Sequence, residues 1–362
     1  MNTEVKAFAK NPFYDILKGL GIIAVVLGHC HPDTSVLPVR LMYGFHLAIF
    51  FFIAGMQFND EKYSTAPFIL VSNRIKSLWP SFFGYLTFFT LTQNLCVNWH
   101  LLPQREPYTL RMLANNIFNN FIFIGGESLG GALWFVPMML IGITIFAFIL
   151  CISSHFFYKF KIIPITILCV ACGLFGLYCN INNNPLFLHA HSSFLLIPFL
   201  FLGYLISYYK IDVLKLIKWP IALICGAAYI YLFAIKGCRI DLSKELIISQ
   251  YMFYPATLLG IYFVCFIAKM LAKFKPTTTT FSFIGKYSFD IMALHFLIFK
   301  IIDVLFGLIT KASPEVYSAF PCAYPKLWPI YLAVSLLTIP FIRLALSSLY
   351  AWLTAVSKKL FS

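Results

Sequence analysis

Long apolar runs separated by short polar connections occupy nearly the whole chain. A helix needs about 18–20 apolar residues to cross the hydrocarbon of a bilayer, and runs of that kind predict membrane-spanning helices. Ten segments are expected: Phe13–Cys30, Leu41–Phe58, Leu78–Cys96, Leu133–Ser153, Ile162–Cys179, Ser193–Tyr209, Trp219–Ile235, Tyr251–Leu271, Phe281–Phe306 and Leu327–Leu353. The pattern predicts an all-α polytopic membrane protein, a bundle of about ten transmembrane helices. Residues 1–362 are expected to form one integral-membrane domain, with no internal repeat and no separate soluble domain.

Composition agrees. Of the 362 residues 60% are hydrophobic and 11% charged, with mean hydropathy +0.84, too few polar groups to clothe a soluble domain. The net charge of +14 reads as a topology signal. With the N-terminus inside, the cytoplasmic side collects Lys6, Lys10, Lys62, Arg74, Lys76, Lys159, Lys161, Lys210, Lys215, Lys218, Lys269, Lys273, Lys275, Lys358 and Lys359. The opposite side keeps Arg40, Arg105, Arg111, Lys236, Arg239, Lys244, Lys311 and Lys326. That asymmetry predicts two cytoplasmic termini and attraction to anionic membrane lipid. No basic run points to nucleic acid as a partner. The first segment contains Lys18 and ends without a small-x-small site, so it is expected to stay as a helix and not to be a cleaved signal peptide. The ten cysteines are scattered through apolar segments and predict no disulfide framework, and Cys169-x-x-Cys172 reads as packing.

The candidate chemistry lies in the polar residues within those segments: Asp15, Lys18 and His29 on the first, His46 on the second, Asp290 and His295 on the ninth, Arg343 on the tenth. Ionisable groups in a membrane helix are costly and usually face a bundle interior or wet cavity. Eleven positions separate Lys18 from His29, which puts both on one helical face about 16 Å apart along the axis. Neutral imidazole accepts a proton near neutral pH, as general-base activation of a hydroxyl requires. The histidines lack metal-type spacing, and His29-Cys30-His31 is too close for one face, so no metal is expected. Each residue also has a blander role. Asp15 and Lys18 pair at i,i+3, Lys18 snorkels to headgroups, and His46 and His295 bridge helices. Arg74 and Lys76, beside Trp79-Pro80, serve either as cytoplasmic anchors or as phosphate contacts.

Several strings together resemble the acyltransferase-3 membrane family. They are Asp15-Ile-Leu-Lys18 through Gly28-His29, Tyr43-Gly-Phe-His46-Leu-Ala-Ile-Phe-Phe-Phe-Ile-Ala-Gly55, Arg74-Ile-Lys76-Ser77-Leu78-Trp79-Pro80, Leu133-Trp134-Phe135-Val136-Pro137 and Gly285-Lys286-Tyr287-Ser288-Phe289-Asp290 through His295. The resemblance spans most of the chain and implies acyl transfer, commonly of acetyl from acetyl-CoA, to a hydroxyl of a cell-envelope glycan or lipid-linked sugar. It implies acyl-CoA as co-substrate, no bound cofactor, and a bacterial inner membrane as the location. The family's basic-x10-His pair maps onto Lys18 and His29, and its Arg-x-x-Arg pattern onto Arg74 and Ser77, where the second arginine is missing. Lys76 lies about 100° away from position 77 on a helix. Ala48 and Ala54 stand where proline and serine are expected.

The expected roles are His29 as general base and Lys18 and Arg74, with Lys76, as acyl-CoA phosphate contacts. Tyr43, His46 and Trp134 are the alternatives for stabilising the oxyanion, and Asp15 and Asp290 are candidates for orienting a histidine or balancing Lys18. The loop 97–132, with its glycine-rich stretch 125–131, suits a lid or acceptor-binding role, and no fused esterase-like domain is expected after the bundle. Two other classes share the composition, a secondary transporter and a non-catalytic membrane assembly subunit. The first normally shows paired broken helices or inverted repeats, and the second should tolerate neutral polar replacements of its charges.

Overall fold

Asn11 opens the first helix by accepting a hydrogen bond from the Phe13 amide at 3.0 Å, and the apolar run behind it winds into α1 (Pro12–Cys30). The computed structural model describes residues 11–30, 36–103 and 106–360, with backbone alone at 349–351 and 353–360. Lys6, Lys10, His31, Arg105 and the side chains of Lys358 and Lys359 lie outside the described residues. The second apolar run is not one helix. It breaks at 44–47 into α2 (Leu37–Tyr43) and α3 (Ala48–Met56), which leaves His46 on the connecting turn. Ala48 is the first residue of α3, so the break forms without a proline there.

After α4 (Asp60–Tyr63) the chain forms α5 (Pro67–Asn98), α6 (Leu110–Phe121) and a 3-10 turn, Ser128–Trp134, that runs into α7 (Phe135–Phe156). The helices α8 (Ile162–Ile181), α9 (Ala190–Tyr208), α10 (Val213–Leu216) and α11 (Trp219–Ala234) follow. A hairpin of β1 (Arg239–Asp241) and antiparallel β2 (Leu246–Ile248) pairs Asp241 with Leu246. Then come α12 (Phe253–Leu271), α13 (Lys275–Lys286), α14 (Ser288–Thr310), α15 (Pro314–Tyr317) and α16 (Trp328–Leu360).

The protein is 80% helical with almost no strand, an all-α polytopic membrane protein. Among the described residues eight helical stretches are long and apolar enough to cross a bilayer, two fewer than expected. The other two expected segments are helical as well. At 16 residues α11 is short, and the long α5 is interrupted by polar side chains such as Arg74, Lys76, Gln93 and Asn94. The ninth expected segment is divided at Tyr287 between α13 and α14.

In lipid no hydrophobic force drives helices together, so tight packing falls to small residues. Gly55 on α3 faces the Leu200 carbonyl of α9, and Gly203 on α9 faces the Phe52 carbonyl in return; a Cβ at either would collide with backbone. The same device joins α1 to α13, where Gly285 meets the Asp15 carbonyl and Gly19 the Phe281 carbonyl. Two large apolar clusters result, one around α3, α7, α9 and α12, the other around α1, α14 and the start of α16, and a third, smaller one joins Phe82 and Leu86 of α5 to Val136 and Ala293. The loop 97–132 is fastened rather than free. Its Glu127, 4% exposed, accepts hydrogen bonds from the Thr90 hydroxyl at 2.7 Å and the Tyr108 hydroxyl at 3.2 Å.

Candidate active site

The last turn of α1 and the second turn of α14 bring two histidines of distant sequence together. His29 Nδ1 lies 2.8 Å from His295 Nε2, with the ring planes 4° from parallel. His295 is fully buried, and its Nδ1 lies 3.0 Å from the Ile291 carbonyl one turn earlier. A carbonyl only accepts, so His295 Nδ1 carries the hydrogen and its Nε2 holds the lone pair. His29 Nδ1–H therefore donates to His295, and neutral His29 keeps its lone pair on Nε2. That nitrogen has no hydrogen-bond partner among the described residues.

His29 forms part of the wall of a cavity at the seam between the two large apolar clusters, with about 420 Å³ of empty space including its mouth. Tyr43, His46, Trp134, Phe135, Asp241 and Ser243 line it as well. The break between α2 and α3 puts His46 there, with its ring 4.8 Å from that of Tyr43 and its buried Nδ1 without a hydrogen-bond partner among the described residues. The short α2 is held in turn by α11. Arg40 donates to the Phe233 carbonyl at 2.9 Å, and the Tyr229 hydroxyl donates to the Leu41 carbonyl. Outside the spans, burial pushes the Cys322 thiol up to about 12; as a neutral thiol it donates to the Cys30 carbonyl at 3.1 Å and closes the far end of α1.

The remaining expected residues sit apart from this cavity. Lys18 Nζ is 3.3 Å from Asp15 Oδ1, the i,i+3 pair anticipated from spacing. Asp290 accepts from the Tyr85 hydroxyl at 2.5 Å and lies 3.7 Å from Arg343 Nε. Neither carboxylate orients a histidine; the Ile291 carbonyl does that, because His295 and its own helix backbone lie one turn apart. Arg74 and Lys76 lie on α5, half-buried and exposed respectively, and neither lines the cavity. The main packing partners of α5 are α6 and α7, not α1.

Three features escaped the sequence reading. Asp241 and Ser243, on the hairpin, complete the cavity wall. Lys300 and Asp303, fully buried on α14, pair at 2.6 Å, and their i,i+3 spacing inside an apolar run was the available signal. His189, His191 and Glu245 gather near Trp134, whose ring is 4.7 Å from that of His189; His-Ala-His was visible in the chain, its distant glutamate was not. The ligand atoms of that trio lie within 4.8 Å of one another. The Leu186 amide also donates to His191 Nδ1 at 3.1 Å, which leaves the proton on Nε2 toward Glu245. His189 Nδ1 and His191 Nε2 lie 3.8 and 3.7 Å from Glu245 Oε1, beyond hydrogen-bond range, and both are buried without a hydrogen-bond partner among the described residues.

Neither the curated proteins nor the solved structures compared with the chain gave a match. The family model described as an acyltransferase domain, acyltransferase 3, matches residues 11–346. An integral membrane protein matched over nearly its whole length, the chain belongs to the acyltransferase-3 family and is a membrane acyltransferase.

Proposed function

We propose that the protein moves an acetyl group from cytoplasmic acetyl-CoA to a hydroxyl of a cell-envelope carbohydrate, with both termini cytoplasmic and His29 as general base. The observation that carries this reading is the direction of the histidine relay. Ile291 fixes the tautomer of His295, His295 fixes that of His29, and the lone pair left on His29 Nε2 belongs to a residue of the cavity wall.

In the proposed step, Nε2 takes the acceptor's hydroxyl proton as the oxygen attacks the thioester carbon. The imidazolium that forms keeps its Nδ1–H bond to His295, which stabilises it. The developing oxyanion needs a donor, and the Tyr43 hydroxyl, the His46 imidazole N–H and the Trp134 indole N–H are the alternatives in the same wall. Collapse of the tetrahedral species breaks the carbon–sulfur bond, and the thiolate leaves as CoA thiol with the proton from Nε2. The route needs no acyl-enzyme. Since α1 is helical across the whole interval, Lys18 and His29 stand about 16 Å apart, a span suited to a coenzyme's phosphates at one end and its thioester at the other.

The test is purified protein in lipid with labelled acetyl-CoA and candidate envelope glycans, wild type against His29→Ala. Ester formation lost in a folded variant supports the reading. Label carried across the membrane without ester formation would favour transport, and unchanged ester formation would remove His29 from the chemistry.

A further inference from the structure

Asp241 is 1% exposed, yet one of its two carboxylate oxygens has no hydrogen-bond partner among the described residues. The other, Oδ1, is occupied by the Ser243 hydroxyl at 2.6 Å and the Ser243 amide at 3.2 Å, which fix the carboxylate's rotation. Among the described residues Oδ2 meets only the Lys244 ammonium at 3.7 Å, beyond hydrogen-bond range, and that lysine is 61% exposed. A buried acceptor left without a donor is costly, more so when charged, and calls for a group that supplies one. Asp241 lines the same cavity as His29 and belongs to a hairpin whose two strands pair with each other.

We infer that Asp241 is an acceptor-binding residue, whose Oδ2 takes a hydrogen bond from a second hydroxyl of a neutral polyol while the reacting hydroxyl meets His29 Nε2. This rests on the reading of His29 as base. The cavity's chemistry selects the class. An anionic acceptor would meet the carboxylate's charge, and a simple alcohol would leave Oδ2 unpaired. A sugar ring brings several hydroxyls and an apolar C–H face, and the aromatic sides of Trp134, Tyr43 and Phe135 are available for that face. Specificity of this kind is steep, because a site built to accept a hydroxyl rejects an analogue lacking it through its own unpaired group.

The experiment uses the full chain in lipid vesicles with acetyl-CoA and, as probes, glycerol, propan-1-ol and 2-aminoethanol at equal concentrations. Wild type should acetylate glycerol about 10–100 times faster than propan-1-ol, the range expected for one hydrogen bond to a charged group. Asp241→Asn should bring that ratio near one, with the loss falling on KM for glycerol rather than for acetyl-CoA. A binding readout is independent of turnover: methyl glucoside should raise the melting temperature saturably in wild type and in His29→Ala, and not in Asp241→Asn. Should Asp241→Asn fail to fold, the wild-type ratio and melting shift decide alone. Equal rates on glycerol and propan-1-ol, or no saturable shift in wild type, would overturn the inference. Preference for 2-aminoethanol would also overturn it, by making Asp241 a reader of positive charge. Transfer that persists in His29→Ala strikes instead at the reading of His29, and the glycerol ratio and melting shift then judge Asp241 separately.

Discussion

The single helix α14 carries two buried polar constellations, and they differ in what they leave open. Near its middle, Lys300 Nζ donates to Asp303 Oδ2 at 2.6 Å and to the carbonyls of Tyr317 at 2.9 Å and Ala319 at 2.5 Å, which uses all three of its hydrogens. Asp303 accepts further from the Ala323 amide at 3.0 Å and from the Tyr331 hydroxyl. Less than two turns earlier, His295 passes its one orienting bond to His29, and the chain of bonds ends at a nitrogen with no partner among the described residues. A network closed on itself holds loop 311–324 and α16 to α14. A network with one open end can act on a substrate. His295 is as fully buried as Lys300 and Asp303, so burial alone does not distinguish structure from chemistry; the count of satisfied atoms does.

The largest effect should come from breaking the closed network. Lys300→Met strands Asp303 in a dry interior, and removing one partner of a buried pair costs about 3–5 kcal/mol. We expect a large loss of folded yield in a thermal assay, part of it recovered in the double variant Lys300→Met/Asp303→Asn, while the fraction that folds turns over as wild type does. Equal losses in the single and double variants would show that the pair is not the source of the cost. The open network should behave in the opposite way. His29→Ala should lower kcat about 10²–10⁴-fold, the usual contribution of a positioned base, with folding retained on size-exclusion. His295, which acts through His29, should cost less: about 10-fold in kcat for His295→Ala, with KM for acetyl-CoA little moved. His295→Gln, whose amide oxygen can accept from His29 Nδ1–H, should recover part of that loss. If Gln and Ala are equally impaired, the bond between the two rings does not matter to turnover.

What could be read along the chain follows the range of the physics involved. Spans depend on local apolarity, so Ile162–Cys179 and Tyr251–Leu271 fall within two residues of α8 and α12. Breaks inside apolar runs do not change hydropathy, so the turn at 44–47 and the joint at Tyr287 were invisible. His29 stood out as costly on its own, as did His295, but their contact joins positions 266 apart and depends on how α1 and α14 pack. The Asp15–Lys18 pair was readable because a helix enforces it, and by the same rule Lys300 and Asp303 should have been paired in advance. Asp241 had no signal: its place in the cavity follows from a three-residue strand pairing between α11 and α12.

The smallest effect concerns the other end of α1, where the helix carries an ion pair that is neither closed nor open. Lys18 is 29% exposed and 3.3 Å from Asp15, close enough to be held and accessible enough to turn to a phosphate. If Lys18 binds the acyl-CoA phosphates, Lys18→Ala should raise KM for acetyl-CoA about 2- to 5-fold, the worth of one partly solvated ionic contact. That result alone would not separate binding from a general weakening of α1. Asp15→Asn does, because it removes the competitor for the ammonium without touching the Asp15 carbonyl that packs against Gly285. A phosphate-binding lysine released from its carboxylate should bind better, so KM should fall in Asp15→Asn and rise in Lys18→Ala. If both variants raise KM, the two residues serve each other, and the coenzyme's charged head must be held elsewhere.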